Sequence, residues 1–242
     1  MAFSPDGQRI VTGSYDQTAR VWQAAPPKQV AAWEEVESAA KEKLAALQRE
    51  WSAEQERENI ARTRDEGRIK RWLILSPIAL ATGQSRAEGL DVEQIEGEAR
   101  LRPTAGETMS TANGELRWRE VTLRDYEDYV IDFNALVGHP TTQSVAYAVC
   151  YIQSEAEQRG LQMWVGSVDG AKVYLNGRLV HKYAFGREFI ADQDTVPDIA
   201  LNAGLNVLVF KVVNKMEDWK GSIRLIDAQG DPVKGIKVTL TP

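Results

Sequence analysis

One stretch in the middle of the chain restricts the fold more than any other feature. From Lys28 to Arg71 the sequence contains no proline, and its only glycine is Gly67. The stretch is dense in Ala, Glu, Lys, Arg and Gln, which are strong helix formers. Pro26-Pro27 precedes it and suits the start of a helix. The sequence therefore predicts three parts, which are residues 1–25, a charged linker helix over residues 26–71, and residues 72–242.

The overall charge and the cysteine and histidine counts exclude several classes of protein. The chain has 242 residues, of which 29 are Lys or Arg and 35 are Asp or Glu, giving a net charge of −6. An acidic chain is a poor nucleic-acid binder, because that affinity comes largely from basic groups on the phosphates. One cysteine, Cys150, and two histidines can form neither an internal disulfide nor a zinc site of four nitrogen and sulfur ligands. The longest apolar run, residues 72–81, is about half of a membrane span, so we expect no membrane insertion.

Apolar residues of the predicted helix recur at intervals of three and four, which places them on one stripe. The stripe consists of Val30, Trp33, Val36, Ala40, Leu44, Leu47 and Trp51. It fades after Trp51 without sustained heptads, which favours a linker helix that docks its stripe on its own neighbours over a coiled coil. We expect a single helix that offers protein partners, including a second copy, a weak contact through Trp33, Leu44 and Trp51.

The first segment alternates short strands with turns. Pro5-Asp6-Gly7 suits a tight hairpin turn, and Ile10-Val11 begins the next strand. Asp16 falls in a turn where its carboxylate can accept nearby backbone N–H groups, and Val21-Trp22 ends a strand. In this order of elements, residues 2–22 closely resemble the end of a WD-repeat β-propeller blade, and no second copy follows.

One partial blade cannot close a propeller, which needs at least about four blades. The resemblance therefore implies that these residues are the last part of a longer WD-repeat protein and that their apolar edges pair elsewhere. The alternative is a hairpin that resembles a blade by chance. A reading frame upstream of Met1 that encodes further blades distinguishes the two. No signal peptide opens the chain, but a longer parent could carry one, so the sequence predicts no compartment.

From Trp72 onward, short alternating segments are separated by Gly, Asn and Asp, which is typical of strands and turns. Residues 145–152 place Tyr147 and Tyr151 on one face and Ala148 and Cys150 on the other. Asn176-Gly177 predicts a two-residue hairpin turn, in which both positions need positive φ. Further candidate strands cover residues 117–123, 161–166, 171–175, 178–183, 206–213, 222–227 and 236–240. The pattern predicts a mainly β fold, an antiparallel β-sandwich preceded by a long α-helix and the blade remnant.

Five pieces of this segment follow one another in a characteristic order. They are Trp72-Leu73-Ile74-Leu75-Ser76-Pro77, Ala146-Tyr147-Ala148, Gly166-Ser167-Val168-Asp169-Gly170, Val173-Tyr174-Leu175-Asn176-Gly177 and residues 201–213. Over about 170 residues this order resembles the galactose-binding-like jelly-roll modules. The resemblance implies a jelly-roll β-sandwich that often accompanies bacterial enzymes or repeat proteins, and some members bind carbohydrate. Such modules often have Asp where this chain has Val168.

A sugar site needs aromatic faces for stacking and a few fixed polar groups for the hydroxyls. The candidate ligand-binding residues are Trp118, Trp164, Asp169, Tyr174, Asn176, Arg187 and Trp219, with Tyr126, Tyr183, Asp192 and Asp194 as further candidates. The alternative for each aromatic residue is core packing, and for Asp169 and Asn176 it is turn geometry. Residues 192–194 also suit calcium but lack the spaced ligands of an EF-hand loop, so we expect no metal and no cofactor.

The sequence carries no recognisable catalytic motif. His139 and His181 lie in neither a Gly-x-Ser-x-Gly nor a His-Glu-x-x-His setting. Cys150 has apolar neighbours in a strand, which is typical of an inert buried thiol. We predict a non-catalytic accessory module that binds carbohydrate at the C-terminus of a bacterial WD-repeat protein. The alternatives are a protein–protein interaction scaffold without a small ligand and a glycoside-processing enzyme.

Overall fold

The chain divides into two units, Met1–Glu58 and Asn59–Pro242. The structure, a computed structural model, describes residues 1–65, 67–111, 114–123, 129–215 and 218–242. The first unit contains most of a long helix and the strands β1 (Ala2–Phe3), β2 (Arg9–Gly13) and β3 (Ala19–Gln23). The helix, α1, is described over Pro27–Asp65.

The first unit begins with an antiparallel sheet in the order β1-β2-β3. Gly7 has φ of +67° in the first turn, where Asp6 accepts the backbone N–H of Gln8 at 3.1 Å. Asp16 accepts the backbone N–H of Thr18 at 3.0 Å, which confirms the predicted role of this carboxylate. Most large apolar side chains of this sheet are exposed: Phe3, Val11, Val21 and Trp22. Ile10 is partly buried.

Helix α1 begins where the paired prolines predict. The carbonyl of Pro26 accepts the backbone N–H groups of Gln29 and Val30. At its other end the predicted helix reached residue 71, whereas Gly67 has φ of +64° and Arg68 forms a β-bridge with Arg224. A left-handed glycine does not continue a helix, so the chain turns here toward the sandwich.

Beyond the end of α1, the described residues of the second unit form thirteen strands, two short α-helices and one turn of 3-10 helix, Glu98–Arg100. Its first half contains β4 (Arg71–Ala79), α2 (Arg86–Asp91), β5 (Thr108–Thr111), β6 (Gly114–Arg117), β7 (Arg119–Thr122), β8 (Ile131–Asp132) and α3 (Phe133–Val137). Its second half contains β9 (Ser144–Ser154), β10 (Gln158–Ser167), β11 (Ala171–Leu175), β12 (Arg178–Tyr183), β13 (Asp194–Leu201), β14 (Gly204–Asn214), β15 (Lys220–Ile226) and β16 (Ile236–Thr239). None of the described helices of the chain is long and apolar enough to cross a membrane.

Eleven of these strands form two stacked antiparallel sheets, and β5 and β6 pair with each other in a separate two-stranded sheet. The order of the larger sheet is β12-β11-β14-β9-β4-β7, with β16 also paired to β9, and that of the smaller is β13-β10-β15-β8. From β9 to β15 the chain passes repeatedly from one sheet to the other. The predicted fold class, a mainly β antiparallel jelly-roll sandwich after a long helix, is confirmed.

Alternation along the strands decides which side chains fill the space between the sheets. Met163 and Val165 of β10 and Phe210 of β14 are fully buried, and the ring of Phe210 lies 6.3 Å from that of Trp72. Cys150 is also fully buried, and burial raises the pKa of its thiol.

The hairpin turn at Asn176-Gly177 is confirmed, with φ of +53° and +80° at the two positions.

The outer face of the larger sheet is covered by the segment 80–104. Leu90, Ile95 and Leu101 of this segment are buried in the core. The fully buried carboxylate of Glu98 lies among the hydroxyls of Tyr147 and Tyr174 and the ammonium of Lys211. We call these four residues the Glu98 cluster. Lys211 also donates to the carbonyls of Leu90 at 3.0 Å and Val92 at 2.8 Å, so the cluster fastens the covering segment to the sheet.

Three strands, β5, β8 and β13, were not predicted, and one predicted strand is divided in the structure. The single strand predicted over 117–123 is two strands, β6 and β7, which pair with different partners on either side of Trp118. Strand β13 was not predicted, because Pro197 and Asp198 interrupt its pattern. Asp198 has φ of +55° where the pairing of β13 with β10 shifts register, so these two residues form a β-bulge.

Candidate functional site

Trp164 lies on the outer face of the smaller sheet, in the inner strand β10. Its sequence neighbours Met163 and Val165 point into the core, so strand alternation turns Trp164 outward. Thr195 of β13 and Arg224 of β15 are its cross-strand partners. Trp164 is partly exposed, whereas the other tryptophans of this unit are at most 1% exposed: Trp72, Trp118 and Trp219. We call the outer face around Trp164 the Trp164 face.

Polar side chains hold one another in place around the indole. The guanidinium carbon of Arg224 lies 5.2 Å from the ring centroid of Trp164, within the range of a cation–π contact. Asp192 Oδ2 lies 3.5 Å from Arg224 Nη1 and accepts the hydroxyl of Tyr129 at 3.4 Å. The indole Nε1 of Trp164 donates to Gln162 Oε1 at 3.2 Å. The face therefore combines one aromatic surface with fixed donors and acceptors.

The loop 184–193, between β12 and β13, borders this face. It approaches β10 closely at Gly166, where an added Cβ would lie 2.8 Å from the carbonyl oxygen of Ile190 and 2.7 Å from Ser222 Oγ. Real Cβ atoms do not make contacts this short, so any larger residue displaces the loop or the serine. Because the loop carries Asp192, its position sets where that carboxylate meets Arg224.

Arg187 anchors the same loop. Its guanidinium donates two hydrogen bonds to Asp194, at 2.8 and 2.5 Å, and lies 3.7 Å above the ring centroid of Tyr183. Its Nε also donates to the carbonyl of Ser167 at 3.1 Å. A planar guanidinium can make these contacts together, whereas an ammonium cannot. Three of the sequence-predicted candidates, Arg187, Tyr183 and Asp194, thus act together as a support.

The ionisation of His181 and Asp194 is set by this environment. Burial lowers the pKa of His181 and outweighs the attraction of the Asp194 carboxylate, which lies 3.2 Å from its Nε2. Burial acts to raise the pKa of Asp194, but hydrogen bonds and charge from Arg187 outweigh this and hold it below its usual value. His181 is therefore neutral and Asp194 ionised near neutral pH.

Two of the predicted aromatic candidates are packed in the core. Trp118 and Trp219 are each 1% exposed, and the ring of Trp219 lies 5.1 Å from that of Phe133. Their indole faces are not available to a ligand in this arrangement. Tyr126 lies outside the described residues.

Asp169 and Tyr174 have structural contacts. The buried carboxylate of Asp169 accepts the Nε of Arg86 and the backbone N–H of Lys215, both at 2.7 Å. The hydroxyl of Tyr174 donates to Glu98 at 2.8 Å within the Glu98 cluster. Burial is the main reason that the pKa of Tyr174 is raised. Neither side chain contacts the Trp164 face through the hydrogen bonds described.

Asn176 lies at a groove between the edge strands β12 and β13. The groove has a volume of about 400 Å³ and is lined by Asn176, Leu179 and Asp198, among other residues. The amide of Asn176 is already used, since its nitrogen donates to Asn206 at 2.7 Å and its oxygen accepts the N–H of Val207 at 2.9 Å. No aromatic residue is among the described residues that line this groove, so it offers no stacking surface.

Sequence reasoning missed Arg224 and Gln162 at the Trp164 face and also missed the Glu98 cluster. The sequence does mark Lys211 as unusual, because it is the single charged residue within the apolar strand 207–213. Arg224 and Gln162 lie in alternating strands and look like ordinary solvent-facing residues. For the calcium alternative, no group of three or more His, Cys, Asp or Glu side chains suited to a metal is found in the described part of the chain.

Comparison with known proteins gives two kinds of result. Residues 1–23 match the family model of the WD domain, G-beta repeat, in agreement with the blade predicted there. No curated protein matches the chain. A solved family 35 carbohydrate binding module from an environmental isolate is similar, with a TM-score of 0.30 and 22% identity over 43% of this chain and 78% of that one. A PA14 sugar-binding domain from an RTX adhesin is also similar, with a TM-score of 0.33 and 13% identity over 71% of this chain and 96% of that one.

Proposed function

We propose that the second unit is a non-catalytic carbohydrate-binding module and that its ligand stacks on Trp164. The observation that carries this proposal is the exposure of Trp164 beside Arg224 and Asp192, while the other three tryptophans of the unit are buried. An indole on a sheet surface presents a flat apolar area that fits the C–H face of a sugar ring.

The polar groups beside the indole suit sugar hydroxyls. A guanidinium donates, a carboxylate accepts, and the amide of Gln162 can do both. Arg224 is held by the indole and by Asp192, and the loop that carries Asp192 is held by Arg187. Side chains that are already ordered lose little entropy when a ligand binds. This favours the binding of polar ligands such as sugars, whose affinity is usually low.

The surroundings of the reactive side chains support a binding role over a catalytic one. Asp194 is paired with Arg187, Asp192 with Arg224, and the Cys150 thiol is buried with a raised pKa. The hydroxyl of Ser167 is also buried, where it donates to the carbonyl of Asp169 at 3.0 Å. A general acid and base pair would need carboxyl groups with separated pKa values open to the substrate.

The proposal extends to the setting of the module. Residues 1–23 form a sheet in which most large apolar side chains are exposed, and one blade cannot bury them by itself. We infer that this blade belongs with other blades and that the sandwich serves as an accessory module of a WD-repeat protein. The galactose-binding-like character of the sandwich belongs to the same proposal. That character is supported by the order in which the five sequence pieces follow one another within residues 72–242.

The test compares sugar binding by the wild-type protein with binding by three variants. A glycan array identifies a ligand, and calorimetry together with tryptophan fluorescence measures its affinity. Trp164→Ala should weaken binding by about tenfold or more, and Trp164→Phe should lose less because a smaller ring still stacks. Trp22→Ala, which removes an exposed tryptophan of the first unit that lies outside helix α1, is the matched control and should leave the affinity unchanged.

Two outcomes contradict the proposal. One is an array on which the protein binds no glycan. The other is a sugar affinity that Trp164→Ala leaves unchanged while its unfolding temperature matches that of the wild type. The alternative function, a protein-interaction scaffold, has the exposed apolar stripe of α1 as its support, and it gains weight if no sugar binds.

A further inference from the structure

The stripe on helix α1 is exposed and has a self-complementary order. Its large apolar side chains are between 38% and 69% exposed: Val30, Trp33, Val36, Leu44, Leu47 and Trp51. Val30 and Trp33 lie at one end, and Leu44 and Leu47 lie at the other. The small Ala40 is between the two ends. A surface whose two ends match each other suits a two-fold contact, in which residue i meets residue j and j meets i.

The order of these residues gives one antiparallel register. Positions 30, 37 and 44 alternate with positions 33, 40 and 47 at intervals of three and four, the seam of a two-helix contact. With the second helix reversed, Val30 faces the second copy's Leu47, and Trp33 faces the second copy's Leu44. Glu37 then faces the second copy's Ala40, the smallest side chain of the seam. Large residues therefore meet large ones, and the single charge of the seam meets a methyl group.

Charge separates this register from the parallel one. In a parallel pair Glu37 would face Glu37 across the seam, which places like charges together in a partly dry site. In the antiparallel pair Glu34, beside the seam, lies near the second copy's Lys41, and symmetry makes this pair twice. Within each helix Glu37 already forms an ion pair with Lys41 at 2.7 Å, so its charge is balanced locally.

The area available suits a weak dimer. The seam has four half-exposed large side chains on each copy, Val30, Trp33, Leu44 and Leu47. Covering them on both copies removes on the order of 800 Å² from water, which is in the range of weak, transient contacts. An isolated helix of this composition also gains from packing, because most helical stability in proteins comes from an apolar face that is covered.

We propose that α1 is a homodimerisation helix and that two copies of this chain associate antiparallel through residues 30–47. Dimerisation joins two sandwich units in one assembly, which increases the avidity for any repeated ligand. This inference does not depend on the Trp164 face, because a protein that binds no sugar can still dimerise.

The first test measures the mass of the full chain by sedimentation equilibrium over a range of concentrations. We expect the mass to rise from 27.0 kDa toward twice that value. Leu44→Glu should raise the dimer dissociation constant at least about tenfold, since it puts two carboxylates into the seam. Ala46→Glu places the same charge on the opposite side of the helix and should leave the constant unchanged. Circular dichroism checks that both variants keep their helix.

The second test measures orientation. Glu34→Lys should weaken the dimer by about threefold or more, because the new charge lies near the second copy's Lys41. Adding Lys41→Glu should recover only part of the affinity: the pairs between the copies re-form with reversed signs, but the ion pair with Glu37 within each helix is lost. A Val30→Cys protein mixed with a Leu47→Cys protein should give a mixed disulfide. Cys150 does not compete, because it is fully buried.

Three results overturn the proposal. A monomer at every concentration rules out the dimer. A dimer that Leu44→Glu does not weaken uses another surface. A disulfide between two Val30→Cys chains, without the mixed product, shows a parallel pair.

Discussion

The carboxylate of Glu98 accepts a hydrogen bond from the ammonium of Lys211 at 2.8 Å, and both side chains are completely buried. One residue lies in the covering segment and the other in the middle of β14, so the ion pair joins the segment to the larger sheet. Burial lowers the pKa of Lys211, and Glu98 acts against that shift. Such a pair adds little stability by itself, but loss of one partner leaves a buried charge without compensation.

Glu98→Ala should therefore lower the free energy of unfolding by about 3–5 kcal/mol. The hydroxyls of Tyr147 and Tyr174 lose their acceptor in the same variant. Urea unfolding measures the effect. The matched control is Glu96→Ala, which removes an exposed carboxylate two residues away and should change the free energy by at most about 0.5 kcal/mol. The double variant Glu98→Leu with Lys211→Met should cost much less than the two single changes together, and additive costs would contradict the pairing.

Arg187→Lys should destabilise the sandwich although it keeps the charge. A lysine cannot make the two hydrogen bonds to Asp194 and at the same time stack on Tyr183, so we expect a loss of about 1–3 kcal/mol. Thermal or urea unfolding measures it. Arg178→Lys, at an exposed position of the same hairpin, is the control. Equal stability of the two variants would show that Arg187 does not anchor the loop.

Gly166→Ala should displace the loop 184–193. The new Cβ would meet the backbone oxygen of Ile190, which cannot turn away as a flexible side chain can. We expect a loss of about 1–3 kcal/mol in unfolding free energy, the usual cost of overpacking. If the proposed function holds, sugar affinity falls as well, because Asp192 moves with the loop. Gly13→Ala, with nothing within 4 Å of its Cβ, is the comparison, and equal effects from both variants would contradict the prediction.

The stability of the protein should decrease as the pH falls from 7 to 5, and His181 should be responsible for part of the decrease. Burial lowers the pKa of His181 in the folded protein, so the unfolded chain takes up a proton that the folded chain resists. The stability that this group contributes is fully present above about pH 6.5, the usual pKa of histidine in an unfolded chain. It is lost as the pH falls toward the lower pKa of His181 in the folded protein.

Urea unfolding at several pH values tests the role of His181. His181→Gln should flatten the decrease between pH 7 and 5, because glutamine does not titrate. His139→Gln, which removes the exposed histidine after β8 and α3, should have the wild-type pH dependence. A decrease that persists unchanged in His181→Gln would assign it to other groups.

Much of the architecture could be predicted because it depends on local patterns. The turn at Asn176-Gly177 needs positive φ at both positions. Simple alternation along β9 places Tyr147 and Cys150 on opposite faces of the strand. The strands and turns of residues 1–23 follow from turn chemistry in the same way, whereas their likeness to a WD-repeat blade rests on resemblance to that family. Strand β13 could not be predicted, because a bulge at Pro197 and Asp198 is stabilised by pairing with β10, a partner distant in sequence.

The candidate site could be predicted much less well, because exposure is decided by packing. Trp118 and Trp219 have charged residues on both sides in the sequence, and Trp164 has apolar ones. Among these three, however, only Trp164 is outside the core. The partners of Trp164 come from β15 and from the loop 184–193, and sequence spacing gives no sign that they meet. Asp169 and Tyr174 were candidates for a ligand, but the fold uses them to hold its own segments.

The sequence by itself determined a strand-rich start, a long charged helix and a β-sandwich, because propensity, turn chemistry and apolar periodicity act over a few neighbouring residues. Only the tertiary structure decided that one tryptophan faces outward between an arginine and a glutamine. It alone decided that Glu98 and Lys211 share a buried site. Those relationships depend on which strands become neighbours and which faces become covered, and these are properties of the whole fold.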